Sequence, residues 1–220
     1  IAEKPIPPVD TAAMQSLFAG ISPATSYKKL GNGNPCMTQR FGADPGAMEY
    51  NGRVYIYTTN DAFEYDNNGN LKENSYDVAT INCMSSDDLV NWTDHGPIPV
   101  ARQGGAASWA WASWAPCAAH KTINGQEKFF LYFANSAGGI GVLTADSPTG
   151  PWRDPLGHAL VTTKSPNCSN VIWMFDPAVM VDSDGQGILA FGGGVPSDNP
   201  AHPNTARIVL LGDDMISLKN

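Results

Sequence analysis

Two aspartates stand directly before proline in matching surroundings, Asp44 in Phe41-Gly42-Ala43-Asp44-Pro45 and Asp176 in Phe175-Asp176-Pro177. Each opens a short apolar run, which leads to a turn pair (Asn51-Gly52, Asp184-Gly185) and then a β-rich segment. A third copy, Trp114-Ala115-Pro116, leads to Asn124-Gly125 and Phe129-Phe130-Leu131-Tyr132-Phe133, with alanine where the others carry a carboxylate. Two carboxylates brought to one site push their pKa values apart, which suits acid–base chemistry. The residue before a proline is restricted, so extended β geometry is predicted at both aspartates. Asp-Pro is also a common turn-starting dipeptide. The chemical reading therefore rests on the equivalence of the two positions within a repeat.

The elements that would position them recur as well. The asparagine and aspartate–glycine pairs are hairpin signals because they tolerate positive φ. The second half of each copy repeats too: Ser86-Asp87-Asp88 before Asn91-Trp92, Ala145-Asp146-Ser147 before Pro151-Trp152, and Leu211 before Asp213-Asp214. Each copy holds about four strands, with its marker proline at 45, 116 or 177. Four-stranded units at this spacing are the signature of propeller blades, whose first strands line a central axis. The fold class is therefore all-β, with blades at about 41–105, 106–165 and 170–220. Three blades are fewer than a propeller needs to close, so the chain reads as part of a longer single β-propeller domain. The stretch Pro35–Arg40 is a candidate closing strand. Trp92 and Trp152 recur at equivalent outer positions and read as packing residues.

Composition narrows the partners. Asp+Glu 21 against Lys+Arg 13 gives a formal charge of -8, which argues against nucleic acid and against anionic membrane surfaces. No apolar run reaches the ~18 residues of a membrane helix. A neutral partner suits this surface. The four cysteines (Cys36, Cys83, Cys117, Cys168) have no zinc-type spacing, and disulfides are expected from them in an oxidising compartment. The triplets Asn91-Trp92-Thr93 and Asn167-Cys168-Ser169 are glycosylation sequons. With the Lys-poor, acidic composition they predict a secreted, extracellular glycoprotein.

From about Asn34 to the end, the chain resembles glycoside hydrolase family 43 in the order and spacing of its motifs. The matching stretches are Asn34-Pro35 with Phe41-Gly42-Ala43-Asp44-Pro45, Ser86-Asp87-Asp88-Leu89-Val90-Asn91-Trp92, Trp114-Ala115-Pro116, and Phe175-Asp176-Pro177 with Asp182-Ser183-Asp184-Gly185. The resemblance implies a five-bladed propeller and an inverting glycosidase. By it Asp44 is the base that activates water, and Asp176 orients the catalytic acid and raises its pKa. That acid is a glutamate on the inner strand of the next blade, and no glutamate of this chain lies in a matching context. Such an enzyme needs its C-terminal remainder, in the same or a second chain, and these residues alone are expected to be inactive. The stretch Ser108–Cys117 and the insertion after Tyr65 resemble enzymes that debranch arabinoxylan, implying release of α-L-arabinofuranosyl side chains from arabinoxylan or arabinan. β-Xylosidase, endo-arabinanase and a non-catalytic carbohydrate-binding propeller are the alternatives. Trp114 matches the family's pocket tryptophan, and Phe63 resembles a pocket-wall position.

Trp109, Trp111 and Trp114 alternate nearly at period two, which would put them on one face, and indole rings pack on the C–H faces of sugars. Trp111 is therefore a further substrate-binding candidate. The histidines show no ligand spacing. Asp182-x-Asp184-Gly185 echoes the start of a calcium loop but reads as a hairpin turn. No cofactor is required and no metal ligand is assigned in this chain, although the resemblance leaves room for a calcium ion on the propeller axis.

Overall fold

A computed structural model of the chain describes residues 35–72, 76–197 and 200–219. Among them there is no helix. Ten strands form three antiparallel meanders. The first joins β1 (Gly46–Tyr50), β2 (Arg53–Thr59), β3 (Thr80–Ser86) and β4 (Thr93–Pro99) in that order. The second joins β5 (Trp114–Ile123), β6 (Gln126–Ala134) and β7 (Ile140–Ala145), and the third β8 (Ala178–Val181), β9 (Gly187–Gly192) and β10 (Ala206–Leu210).

The predicted fourth strand shrinks to a single bridge in the second sheet, Thr144 with Arg153, and in the third, Leu211 with Leu218. In the second sheet Pro148, Pro151 and Pro155 crowd that edge, and proline cannot donate to a ladder. The first two hairpins are tight: Tyr50 pairs with Arg53 and Ile123 with Gln126, across Asn-Gly turns whose φ values are all positive. The third is longer than the predicted two-residue turn. Asp182 N–H donates to Gln186 O at 3.0 Å, and the Asp182 carboxylate collects the amides of Asp184 and Gln186, so five residues close the loop.

The run Phe129–Ala134 explains how the sheets stack. Phe129, Leu131 and Phe133 enter one core with Tyr57, Ile81 and Cys83 of the first sheet. Phe130, Tyr132 and Ala134 enter a second core with Leu189 and Phe191 of the third. The middle sheet is thus buried on both faces, which is why β6 is a continuous apolar run. Each such side chain contributes roughly 1.5–3 kcal/mol by burial. Strand β1 lies beside β5 and β5 beside β8, so the first strands of the three sheets are neighbours. Trp152 is buried in the first core against Tyr57.

The expected disulfides are not formed: no two of the four cysteines are joined. Cys83 belongs to the first core and Cys168 to the second, while Cys117 sits at the β5–β8 seam, where its sulfur accepts the Val179 N–H at 3.4 Å. They are spent in separate packing environments. Burial, then the charge of Asp94, pushes the Cys83 thiol up to about 12.

Candidate active site

The three marker prolines follow residues with the same unusual backbone: Asp44 at φ 51°, Ala115 at φ 42° and Asp176 at φ 50°. The extended geometry predicted at these positions is therefore wrong; all three lie in the left-handed region. That region costs an L-residue roughly 1–2 kcal/mol, and aspartate tolerates it better than alanine. The cause is tertiary. At Asp44 and Asp176 the chain bends just before an inner strand begins, and Ala115 lies in the first residues of β5, where the register shifts between Trp114 and Cys117. Beside the first bend, Gly46 is obligatory, because a Cβ there would meet Pro116 O at 2.3 Å. The first and second bends are consequently packed backbone to backbone.

Side chains fix the first bend. The Ala43 N–H donates to Thr59 Oγ1 at 2.9 Å, and Thr59 N–H returns a bond to Ala43 O at 3.0 Å. The fully buried Asn82 donates through Nδ2 to Phe41 O at 3.1 Å and to Thr59 O at 2.9 Å, while Arg40 Nε donates to its Oδ1 at 2.8 Å. The third bend is held by backbone: Gly192 N–H to Phe175 O at 2.9 Å and Met174 N–H to Ala137 O at 2.9 Å.

The first and third bends open on one cavity of about 650 Å³, whose wall includes Asp44, Asp61, Tyr76, Trp114, Trp173 and Asp176. The Asp176 carboxyl is held above its ordinary value, first by desolvation in the cavity wall and then by the negative charge of Asp44. Trp114 is anchored by donating its Nε1–H to Tyr76 O at 2.8 Å, and the two rings lie 5.8 Å apart. Aromatic rings and carboxylates lining one cavity fit a neutral, hydroxyl-rich ring: faces stack on C–H groups while oxygens take hydroxyls.

Of the residues singled out in the sequence, Asp44, Asp176 and Trp114 meet in this cavity, whereas Trp111 and Phe63 are not in its wall. Trp111 is 65% exposed, with the Arg102 guanidinium 4.2 Å above its ring; Phe63 is 61% exposed and packs edge-on to Phe41. The period-two expectation fails for the tryptophans because 109–113 precede the strand, which begins at Trp114. Trp109 instead packs on the first core and donates Nε1–H to Asp154 at 2.7 Å. Arg102 pairs with Asp77, whose N–H donates to Glu64 at 3.0 Å, so the insertion after Tyr65 is tied to the tryptophan-rich stretch. Asp61, Tyr76 and Trp173 went unnoticed in the sequence; Asp61 and Tyr76 sit outside any repeat, and Trp173 lies just ahead of the Phe-Asp-Pro motif.

The sequence pattern of glycosyl hydrolases family 43 matches residues 33–220. This chain belongs to that family. It is 55% identical over 217 residues to an arabinoxylan arabinofuranohydrolase of Bacillus subtilis (strain 168), covering 93% of this chain and 42% of that protein. A second arabinoxylan arabinofuranohydrolase, from Paenibacillus polymyxa, is 53% identical over 199 residues, with 86% and 31% covered. Among solved structures, a family 43 arabinoxylan arabinofuranohydrolase from Bacillus subtilis in complex with cellotetraose superposes with a TM-score of 0.82 at 55% identity, over 88% of this chain and 42% of that one. An α-L-arabinofuranosidase from Clostridium thermocellum superposes with a TM-score of 0.62 at 40% identity, over 84% and 56%. The family 43 chain described here thus spans less than half the length of the two curated relatives.

Proposed function

We propose that this family 43 chain is the N-terminal part of a five-bladed β-propeller that releases α-L-arabinofuranosyl side chains from arabinoxylan with inversion. The observation that carries the reading is the pair Asp44 and Asp176, set on equivalent bends and facing one aromatic-walled cavity. The two arabinoxylan arabinofuranohydrolases, each above half identical, favour this substrate over the other sugars of the family. In the reaction, ionised Asp44 takes a proton from a water molecule whose oxygen attacks the anomeric carbon. The glycosidic bond breaks as the leaving xylosyl oxygen receives a proton from a carboxylic acid outside this chain. Inversion asks for a base and acid roughly 6.5–9.5 Å apart, leaving room for that water. The negative charge of Asp176 keeps the acid protonated. Both proton transfers run through carboxylates and call for no cofactor. Among the described residues no three His, Cys, Asp or Glu side chains converge as a metal cage.

The rest of the propeller would cover the third sheet, whose outer face is apolar and bare: Met180 is 56% and Ile208 73% exposed. Acidic composition, few lysines and the exposed sequon Asn167 support an extracellular, glycosylated protein. Proton NMR of wheat arabinoxylan digested by the longer polypeptide tests the reading. β-L-arabinofuranose as the first product, with the xylan backbone uncut, is expected. Binding without release would leave a carbohydrate-binding propeller, and xylose release would make the protein a xylosidase.

A further inference from the structure

Resting on that reading of the cavity, we propose that Asp61 is its sugar-selecting residue, a carboxylate that accepts hydroxyl hydrogens from the bound furanose and takes no part in proton transfer. Asp61 lines the same cavity as Asp44 and Asp176 but lies off the repeat, just past the end of β2. Neither of the other two units has a carboxylate there: the residues after β6 are Asn135-Ser136, and those after β9 are Gly193-Gly194. It is thus an addition to the first unit alone, as expected of a group serving one ligand.

Its geometry is fixed before any sugar arrives. Thr59 Oγ1 lies 2.6 Å from Asp61 Oδ2 and 3.2 Å from Ala43 O. A hydroxyl has one proton, and the shorter approach to the charged oxygen takes it. Thr59 is buried, and the same oxygen accepts the Ala43 N–H, so one side chain sets the spacing between Asp61 and the bend carrying Asp44. The Asp61 backbone bridges Phe41, whose carbonyl is held by Asn82. Among the described residues nothing in the protein bonds Asp61 Oδ1. An ionised carboxylate only accepts, and a neutral sugar offers several donors, so this oxygen is matched to ring hydroxyls. Sharing the cavity with Trp114 and Tyr76, it would fix which hydroxyl pattern fits.

The test uses the longer polypeptide with turnover removed by Asp44→Ala and a single-branched arabinofuranosyl-xylotriose as probe, read by calorimetry. Asp61→Asn in that background should weaken binding about 10–100-fold, the range for losing a hydrogen bond to a charged acceptor. In the background with Asp44 intact, it should raise KM on an aryl α-L-arabinofuranoside while leaving the kcat–pH profile in place. Asp61→Glu keeps the charge but moves it, and should weaken binding as well. Unchanged binding in both variants overturns the proposal, as does loss of kcat and of its acidic limb with binding intact, which would make Asp61 a base. If the parent binds the oligosaccharide but never cleaves it, the hydrolase reading fails while the Asp61 effect is still read from binding. If it binds no arabinofuranosyl sugar, both fail.

Discussion

The bends at Asp44 and Ala115 share a backbone and differ in what they present. Both precede proline, both hold left-handed φ, and they pack against each other at Gly46. Yet Ala115 is buried and outside the cavity wall, whereas Asp44 lines the cavity. An alanine gains nothing local from a left-handed φ, so the bend itself is architecture, shared by the three residues that precede the marker prolines. The carboxylates at the first and third bends are what the proposed chemistry would use. A related contrast divides the sheets. The second is buried on both faces, while the third leaves Met180, Ile208 and Leu210 exposed on one.

If the difference between the bends is chemical, Asp44→Ala, which gives the first bend the side chain of the second, should cost about 10²–10⁴-fold in kcat/KM, the usual weight of general acid–base catalysis. Steady-state kinetics on an aryl arabinofuranoside would show it, with the melting temperature lowered only slightly, because alanine already holds the same left-handed φ at the second bend. Thr59→Val should loosen only the first bend. It orphans the Ala43 amide and costs about 1–3 kcal/mol in denaturant unfolding. At the third bend the sign of a pH effect is set by the raised Asp176 pKa. A folded-state value above the unfolded one means that folding is favoured below the ordinary carboxylate range and loses that contribution as pH rises through the folded value. Asp176→Asn should therefore raise the melting temperature at pH 7, with the gain fading by about pH 3. Ala115→Gly is the smallest change, a stabilisation of about 0.5–1 kcal/mol as left-handed strain is relieved, offset in part by unfolded-chain entropy. No change, or a loss, would mean that the second bend is unstrained.

Much of this was legible because it is periodic. The turn pairs, the marker prolines and the double-sided apolar run Phe129–Phe133 follow from local rules, and they located Asp44, Asp176 and Trp114 in corresponding places. What was not legible is set by tertiary contact. The rule for residues before proline favours extended backbone, and packing at Gly46 overrides it. Asp182 closes its own five-residue loop because its carboxylate, not a turn type, organises the amides. Asp61 carries no motif at all; its place in the cavity depends on Thr59 and Asn82, residues that look like ordinary strand positions.

The most direct test is the rate at which the longer polypeptide bearing Asp44→Ala cleaves 4-nitrophenyl α-L-arabinofuranoside, with and without azide. Azide needs no deprotonation, so it bypasses a missing base. A rate near zero that azide partly restores, with β-L-arabinofuranosyl azide as product, is the predicted result. A rate close to wild type without azide would contradict the account, because the first bend would then be architecture like the second.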